Sequence, residues 1–152
     1  MAGPDPSSTP SPVSRQRLTG ALTRHFGFGS FRPHQEDIVS AILSGRDVFA
    51  ALPTGGGKSL CYQLPAVLTD GLTVVVSPLI SLMKDQVDAA RENGIAAAFL
   101  NSTLEPEEFH ATWRELAAGQ IRLLYVAPER LSQPRFRADL AGLGVTLFAV
   151  DE

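Results

Sequence analysis

An α/β fold, a parallel sheet with helices on both faces, is predicted by three features of the sequence. Apolar runs without polar alternation lie at residues 47–52, 73–77, 96–100, 121–127 and 145–150, as expected of strands covered on both sides. Stretches with apolar residues three and four apart separate them, the helical spacing. A glycine-rich heptapeptide, Pro-Thr-Gly-Gly-Gly-Lys-Ser at residues 53–59, joins the first strand to the helix after it. Crossovers between parallel strands of one sheet are right-handed.

In chain order, residues 1–14 hold Pro4, Pro6, Pro10 and Pro12 among Ser7, Ser8, Ser11 and Ser14. Such a stretch has little to bury and reads as a disordered tail before a single domain at residues 15–152. Residues 15–26 carry Leu18, Leu22 and Phe26 on one helical face, and residues 27–31 break that helix. Pro33 is expected to open a second helix, since its missing N–H costs nothing there, with Glu36 and Asp37 complementing the dipole. Ile38, Val39, Ile42 and Leu43 form its core face and Gly45 ends it. A buried strand at residues 47–52 then enters the glycine loop, and residues 60–68 form the next helix.

Three helical patterns follow between the remaining strands. Residues 78–93 present Leu79, Leu82, Met83, Val87 and Ala90; residues 106–118 present Phe109, Trp113 and Leu116; residues 134–140 are weaker. Gly94, Gly119 and Gly142 fall at helix ends.

Bulk properties exclude several classes. With 152 residues, 44% hydrophobic and 19% charged, the chain has the make-up of a globular domain rather than a disordered one. The formal charge of -3 gives no global basic field for nucleic acid, although backbone amides and a few cations can still grip phosphates locally. The single cysteine, Cys61, cannot form an internal disulfide or a cysteine-rich zinc site and reads as a small buried hydrophobe. His25, His34 and His110 lack metal-ligand spacing. No run reaches the ~18 apolar residues of a membrane span and no secretory leader is evident, so a cytoplasmic or otherwise intracellular setting is expected.

The glycine loop carries the first chemistry. Backbone N–H groups converge at a helix start where the dipole is positive, which makes an anion site. Gly55, Gly56 and Gly57, after Thr54, allow the unusual dihedrals and the close approach that phosphate needs, Lys58 can reach the β- and γ-phosphates, and Ser59 would hold Mg²⁺. The stretch departs from G-x-x-x-x-G-K-[ST], because Leu52 stands where the first glycine would be. Ligands of open parallel sheets gather at the carboxyl ends of strands. The turns at residues 77–81, 101–103 and 127–130 and the terminal Asp151-Glu152 should therefore share one edge with the loop. Asp151 could hold the Mg²⁺ and Glu152 orient a water; two acids after a strand could equally be a solvated turn.

Six stretches together resemble the first motor lobe of RecQ-family DNA helicases. They are Phe26-Gly27 with Phe31-Arg32-Pro33-His34-Gln35, residues 53–66, residues 75–87 (Val-Val-Ser-Pro-Leu-Ile-Ser-Leu-Met-Lys-Asp-Gln-Val), residues 100–103 (Leu-Asn-Ser-Thr), residues 125–131 (Tyr-Val-Ala-Pro-Glu-Arg-Leu) and the final Asp-Glu. The motifs occur in the family's order, from about Leu18 to the last residue. The resemblance implies a RecA-like P-loop NTPase lobe and an ATP-dependent enzyme that translocates 3′-to-5′ on single-stranded DNA and unwinds duplexes, in DNA repair and recombination.

The resemblance also implies residue roles. Arg32 and Gln35 would contact adenine and Phe28, where the family usually has tyrosine, would stack on it. Ser77, Pro78, Lys84, Asn101, Ser102, Pro128, Glu129 and Arg130 would lie along the DNA backbone. Lys58, Asp151 and Glu152 would be the catalytic set, with ATP and Mg²⁺ as cofactors. A local cap or solvated charge is the other reading of Lys84, Glu129 and Arg130.

In that family the chain continues past Asp-Glu with the rest of the lobe, a second lobe bearing arginine fingers, a zinc module and a winged helix. The expectation is therefore a lobe incomplete at its C-terminus, without the zinc module and inactive in unwinding by itself. Lack of the fingers would cost about 10³ to 10⁵ in turnover. The strand after Asp-Glu is expected between the strand ending at Leu52 and the one ending at Asp151. Its absence would leave unpaired ladder groups and a marginal, aggregation-prone or rearranged chain. Two other classes stay open: a non-catalytic nucleotide-binding or interaction module, and a small phosphotransferase, for which no acceptor pocket or lid stretch is evident.

Overall fold

The computed structural model describes residues 13–53, 55 and 57–151. Most of the expected tail, together with Thr54, Gly56 and Glu152, lies outside these. Two compact units, Met1–Pro65 and Ala66–Glu152, are taken separately below.

The first unit begins with α1 (Arg15–Phe26) and α2 (Gln35–Leu43), and the start of α3 (Leu60–Leu68) follows the glycine loop. Ser14 caps α1: its Oγ accepts from the Arg17 N–H at 3.2 Å. Gly27, at φ 72°, ends the helix by donating its N–H to the Thr23 carbonyl. Leu18, Leu22 and Val39 are buried, so the four-residue spacing of the first two marks the core face. Arg15 and Glu36 join the two helices at 3.1 Å. α2 starts two residues later than Pro33, because His34 adopts a left-handed φ of 73° and takes the cap position without a side-chain bond.

Residues 47–52 do not form the buried strand expected of them. They carry no secondary structure, and Phe49 is 97% exposed. A strand exists through ladder partners, and among the described residues nothing pairs with this segment. Apolar content alone does not make one.

The second unit holds a four-stranded parallel sheet in the order β2-β3-β1-β4: β1 (Leu72–Val76), β2 (Ala97–Leu100), β3 (Leu123–Val126) and β4 (Val145–Val150). Between them run α4 (Ile80–Glu92), α5 (Pro106–Ala117), the short α6 (Pro128–Leu131) and α7 (Pro134–Ala141). β2 and β3 are one and three residues shorter than the apolar runs suggest, β1 keeps the expected length but starts one residue earlier, and β4 matches. Residues 127–130, expected as a turn, fall in one helical turn, α6, with Ala127 as its cap and Pro128 at its start.

Pro106 and Pro134 likewise stand at the first positions of α5 and α7, where a missing N–H is harmless. Asn93 caps α4 and Gly94 follows at φ 78°, as does Gly119 at 72° after α5, whereas Gly142 caps α7 with an ordinary negative φ. Leu72, Val74, Leu100, Leu124, Val126, Leu116, Phe136 and Leu140 form one core cluster. β1 and β3 are buried along nearly their whole length, as expected of covered strands. β4 is not: it alternates, with Thr146, Phe148 and Val150 exposed. Like β2 it is an edge strand with one ladder neighbour, here β1, but β2 is buried beneath α4 and α5. Among the described residues no helix is long and apolar enough to cross a membrane.

Candidate functional site

In the first unit the glycine loop is braced from α2. Gly55 and Gly57 take φ values of 79° and 77°, conformations that side-chain-bearing residues rarely adopt. A Cβ on Gly57 would collide with the Gln35 amide. Gln35, 3% exposed, donates through Nε2 to the Gly57 carbonyl at 3.1 Å and accepts the Arg32 N–H on Oε1 at 2.9 Å. The Arg32 guanidinium donates to the Gly55 carbonyl. The two side chains assigned to adenine thus sit against the loop itself.

Lys58 and Ser59 are exposed just before α3. Their carbonyls already accept helical bonds, from Cys61 at 3.1 Å for Lys58 and from Gln63 at 2.9 Å for Ser59. The loop therefore runs directly into a helix N-terminus, as an anion site requires. Lys58 supplies charge, and the Ser59 hydroxyl is a hard oxygen donor suited to Mg²⁺. Phe28 is 49% exposed, so a ring face is available for stacking. Cys61 is buried with Sγ 3.8 Å from the Gly57 carbonyl, and burial pushes its thiol pKa up, so it stays protonated and unreactive.

In the second unit, strand register brings the other turns to one edge. Val76 pairs with Val126 and with Val150, and Leu100 pairs with Val126, so all four strands end level. After β1, Ser77 is fully buried and its Oγ accepts the Leu79 N–H at 3.2 Å, while Pro78 is exposed. Lys84 projects from α4 with its Nζ 2.8 Å from Asp88, whose carboxylate raises the Lys84 pKa.

After β2, Asn101 is 1% exposed and fully engaged. Its Nδ2 meets the Met83 sulfur at 3.4 Å, its Oδ1 accepts the Thr103 N–H at 2.9 Å and the Thr103 hydroxyl, and its carbonyl accepts from Arg130 Nη2 at 3.2 Å. Ser102 is exposed beside it. After β3, Pro128 and Glu129 are exposed, whereas Arg130 is half-buried with its guanidinium 4.8 Å above the Phe109 ring. Asp151 follows β4, half-buried, and donates its N–H to the Val76 carbonyl at 2.9 Å.

Of the residues assigned to the DNA backbone, Pro78, Lys84, Ser102, Pro128 and Glu129 are exposed, and Ser77, Asn101 and Arg130 are held by internal partners. Sequence reasoning missed Met83, Thr103 and Phe109 as the supports of that edge. Asn101-Ser102-Thr103 does carry a signal, since an asparagine two residues before a threonine commonly closes a side-chain turn. Among the described residues no cluster of three or more metal-ligating side chains occurs.

The family model for DEAD/DEAH box helicases matches residues 32–152. The ATP-dependent DNA helicase RecQ of Haemophilus influenzae is 49% identical over 92% of this chain, which spans 23% of that protein. RecQ of Bacillus subtilis is 45% identical over 90% of the chain, again 23% of its length. A solved structure titled as a hypothetical ATP-dependent RNA helicase from Sulfolobus tokodaii shares the fold, with a TM-score of 0.69 at 20% identity, over 91% of this chain and 41% of its own. With the motifs in order and a family match running from Arg32 to the last residue, the chain belongs to the DEAD/DEAH box helicase family.

Proposed function

We propose that residues 15–152 are the nucleotide-binding part of a RecQ-type motor lobe. United with a second lobe, it would couple ATP hydrolysis to 3′-to-5′ movement on single-stranded DNA and to duplex unwinding inside the cell. The observation that carries this reading is the braced glycine loop, with Gly57 seated against Gln35 and Lys58-Ser59 at the start of α3.

Lys58 binds the β- and γ-phosphates and Gln35 and Arg32, released from the loop carbonyls, read the adenine edge while Phe28 stacks on its face. Ser59 and Asp151 are the oxygen ligands assigned to Mg²⁺, which would neutralise phosphate charge. Glu152 is assigned to the attacking water. The exposed turns of the second unit take the DNA backbone. The relatives' names support ATP and DNA as the ligands, and the residue roles rest on the motifs.

Binding of a fluorescent ATP analogue to the 152-residue chain tests the site. Lys58→Ala should weaken it by about tenfold or more, the worth of one charge-assisted contact; equal affinity would remove Lys58 from the site. Phosphate release with and without single-stranded DNA then separates a motor from a nucleotide-binding module that never hydrolyses, the comparison being run on the chain and on a polypeptide joining it to a second lobe.

A further inference from the structure

Two turns of the second unit, those after β2 and β3, meet at Asn101, and Arg130 is the residue that ties them together. Its guanidinium donates to the Asn101 carbonyl at 3.2 Å, sharing that oxygen with the Leu104 N–H at 3.5 Å. Its flat face lies 4.8 Å over Phe109. Phe109 in turn stacks on Trp113 with ring centroids 6.3 Å apart and planes 8° apart, and Trp113 packs on Phe136 of α7 at 6.0 Å. A cation thus caps an aromatic column that runs from α5 to α7, and the same cation holds the turn after β2 by its backbone. An arginine held by a carbonyl on its edge and a ring on its face has used both of the properties that distinguish it from lysine.

We infer that Arg130 is a positioning residue and not a phosphate ligand: it latches residues 101–104 to residues 127–130, so that Ser102, Pro128 and Glu129 present one preformed surface. The inference rests on the proposal that this edge receives single-stranded DNA. Preformation matters because ordering two loops on binding would cost part of the affinity. Asn101 completes the latch from below, its side chain fixing Thr103 and contacting Met83 of α4.

The two roles differ in their response to charge and salt. A phosphate ligand tolerates Arg130→Lys, and its removal lowers the slope of log affinity against log salt by about one. A positioning fork does neither. Anisotropy of a fluorescein-labelled oligothymidylate should show Arg130→Lys weakening binding by about fivefold with the salt slope unchanged. Amide hydrogen exchange at Thr103 and Leu104 should speed up about tenfold in Arg130→Lys and in Arg130→Gln. Phe109→Leu, which removes no charge, should give the same exchange change, and emission of Trp113, the single tryptophan, should shift with it. Wild-type binding in Arg130→Lys with a reduced salt slope in Arg130→Gln would make Arg130 a phosphate ligand and overturn the inference. Unchanged exchange at Thr103 and Leu104 would do so as well. A wild-type chain that fails to bind the oligonucleotide would defeat the DNA reading of the edge, while the exchange comparison would still decide the latch.

Discussion

Residues 47–52, Asp-Val-Phe-Ala-Ala-Leu, and β1, Leu-Thr-Val-Val-Val, have nearly the same apolar make-up and opposite fates. β1 has β3 on one side and β4 on the other, and Val74 and Val75 are fully buried. The earlier run pairs with nothing described and leaves Phe49 almost wholly in solvent. The difference shows that a hydrophobic run is a necessary condition for a buried strand, and that a ladder neighbour and covering helices, which even the edge strand β2 has in β3, α4 and α5, are what complete it. β4 falls between the extremes, with one neighbour and one half of its residues exposed.

The largest test of that contrast is core truncation. Leu124→Ala, in the buried β3, should lower the free energy of urea unfolding by about 3 kcal/mol, whereas Phe49→Ala should change it by less than about 0.5 kcal/mol. Similar costs at the two sites would mean that residues 47–52 are buried in solution. Next comes Thr73, on the central strand, whose fully buried Oγ1 has no hydrogen-bond partner among the described residues. Thr73→Val keeps the shape and removes the orphan hydroxyl, so it should stabilise by about 1 kcal/mol in the same urea titration; a loss of stability would reveal a hidden partner.

Smaller still is the effect at the edge. Val150→Lys should alter stability by less than about 0.5 kcal/mol yet reduce concentration-dependent association in sedimentation velocity, since a charge blunts an open strand. If association is unaffected, β4 is not the adhesive edge. The smallest effect concerns Cys61, buried beside the loop, whose folded pKa burial raises above its unfolded value. Its contribution is therefore complete below the unfolded thiol pKa and is lost as pH rises through the folded one. Stability of the wild type should fall slightly faster in alkali than that of Cys61→Ala, and a parallel decline would show the thiol to be inert in this respect.

Much of this fold was legible because helix spacing and proline placement are local signals. Leu18 and Leu22 on α1, Pro106 before α5 and the apolar run of β4 each carry their information within one turn or a few residues. The left-handed His34 and the unpaired residues 47–52 were not legible, because one depends on how α2 is entered and the other on a partner strand. Among site residues, the glycine loop announced its chemistry through composition. The internal use of Gln35, Asn101 and Arg130 could not be foreseen, since an amide or a guanidinium looks the same in sequence whether it faces a ligand or a neighbouring carbonyl.

The order β2-β3-β1-β4 also sets a timetable. Leu72 must find Val145, and Thr73 must find both Leu123 and Leu147, so no strand pairs with its nearest neighbour along the chain except β2 with β3. Closing such long loops precedes any ladder contact that rewards it, which places this unit among slow folders. β1 emerges early from synthesis and must wait, apolar and unpaired, for β3 and then β4. Of the four described strands, β4, which ends at Val150, arrives last. Substitutions in β4 should therefore act mainly on the rate of unfolding, and those in β1 and β3 on the rate of folding.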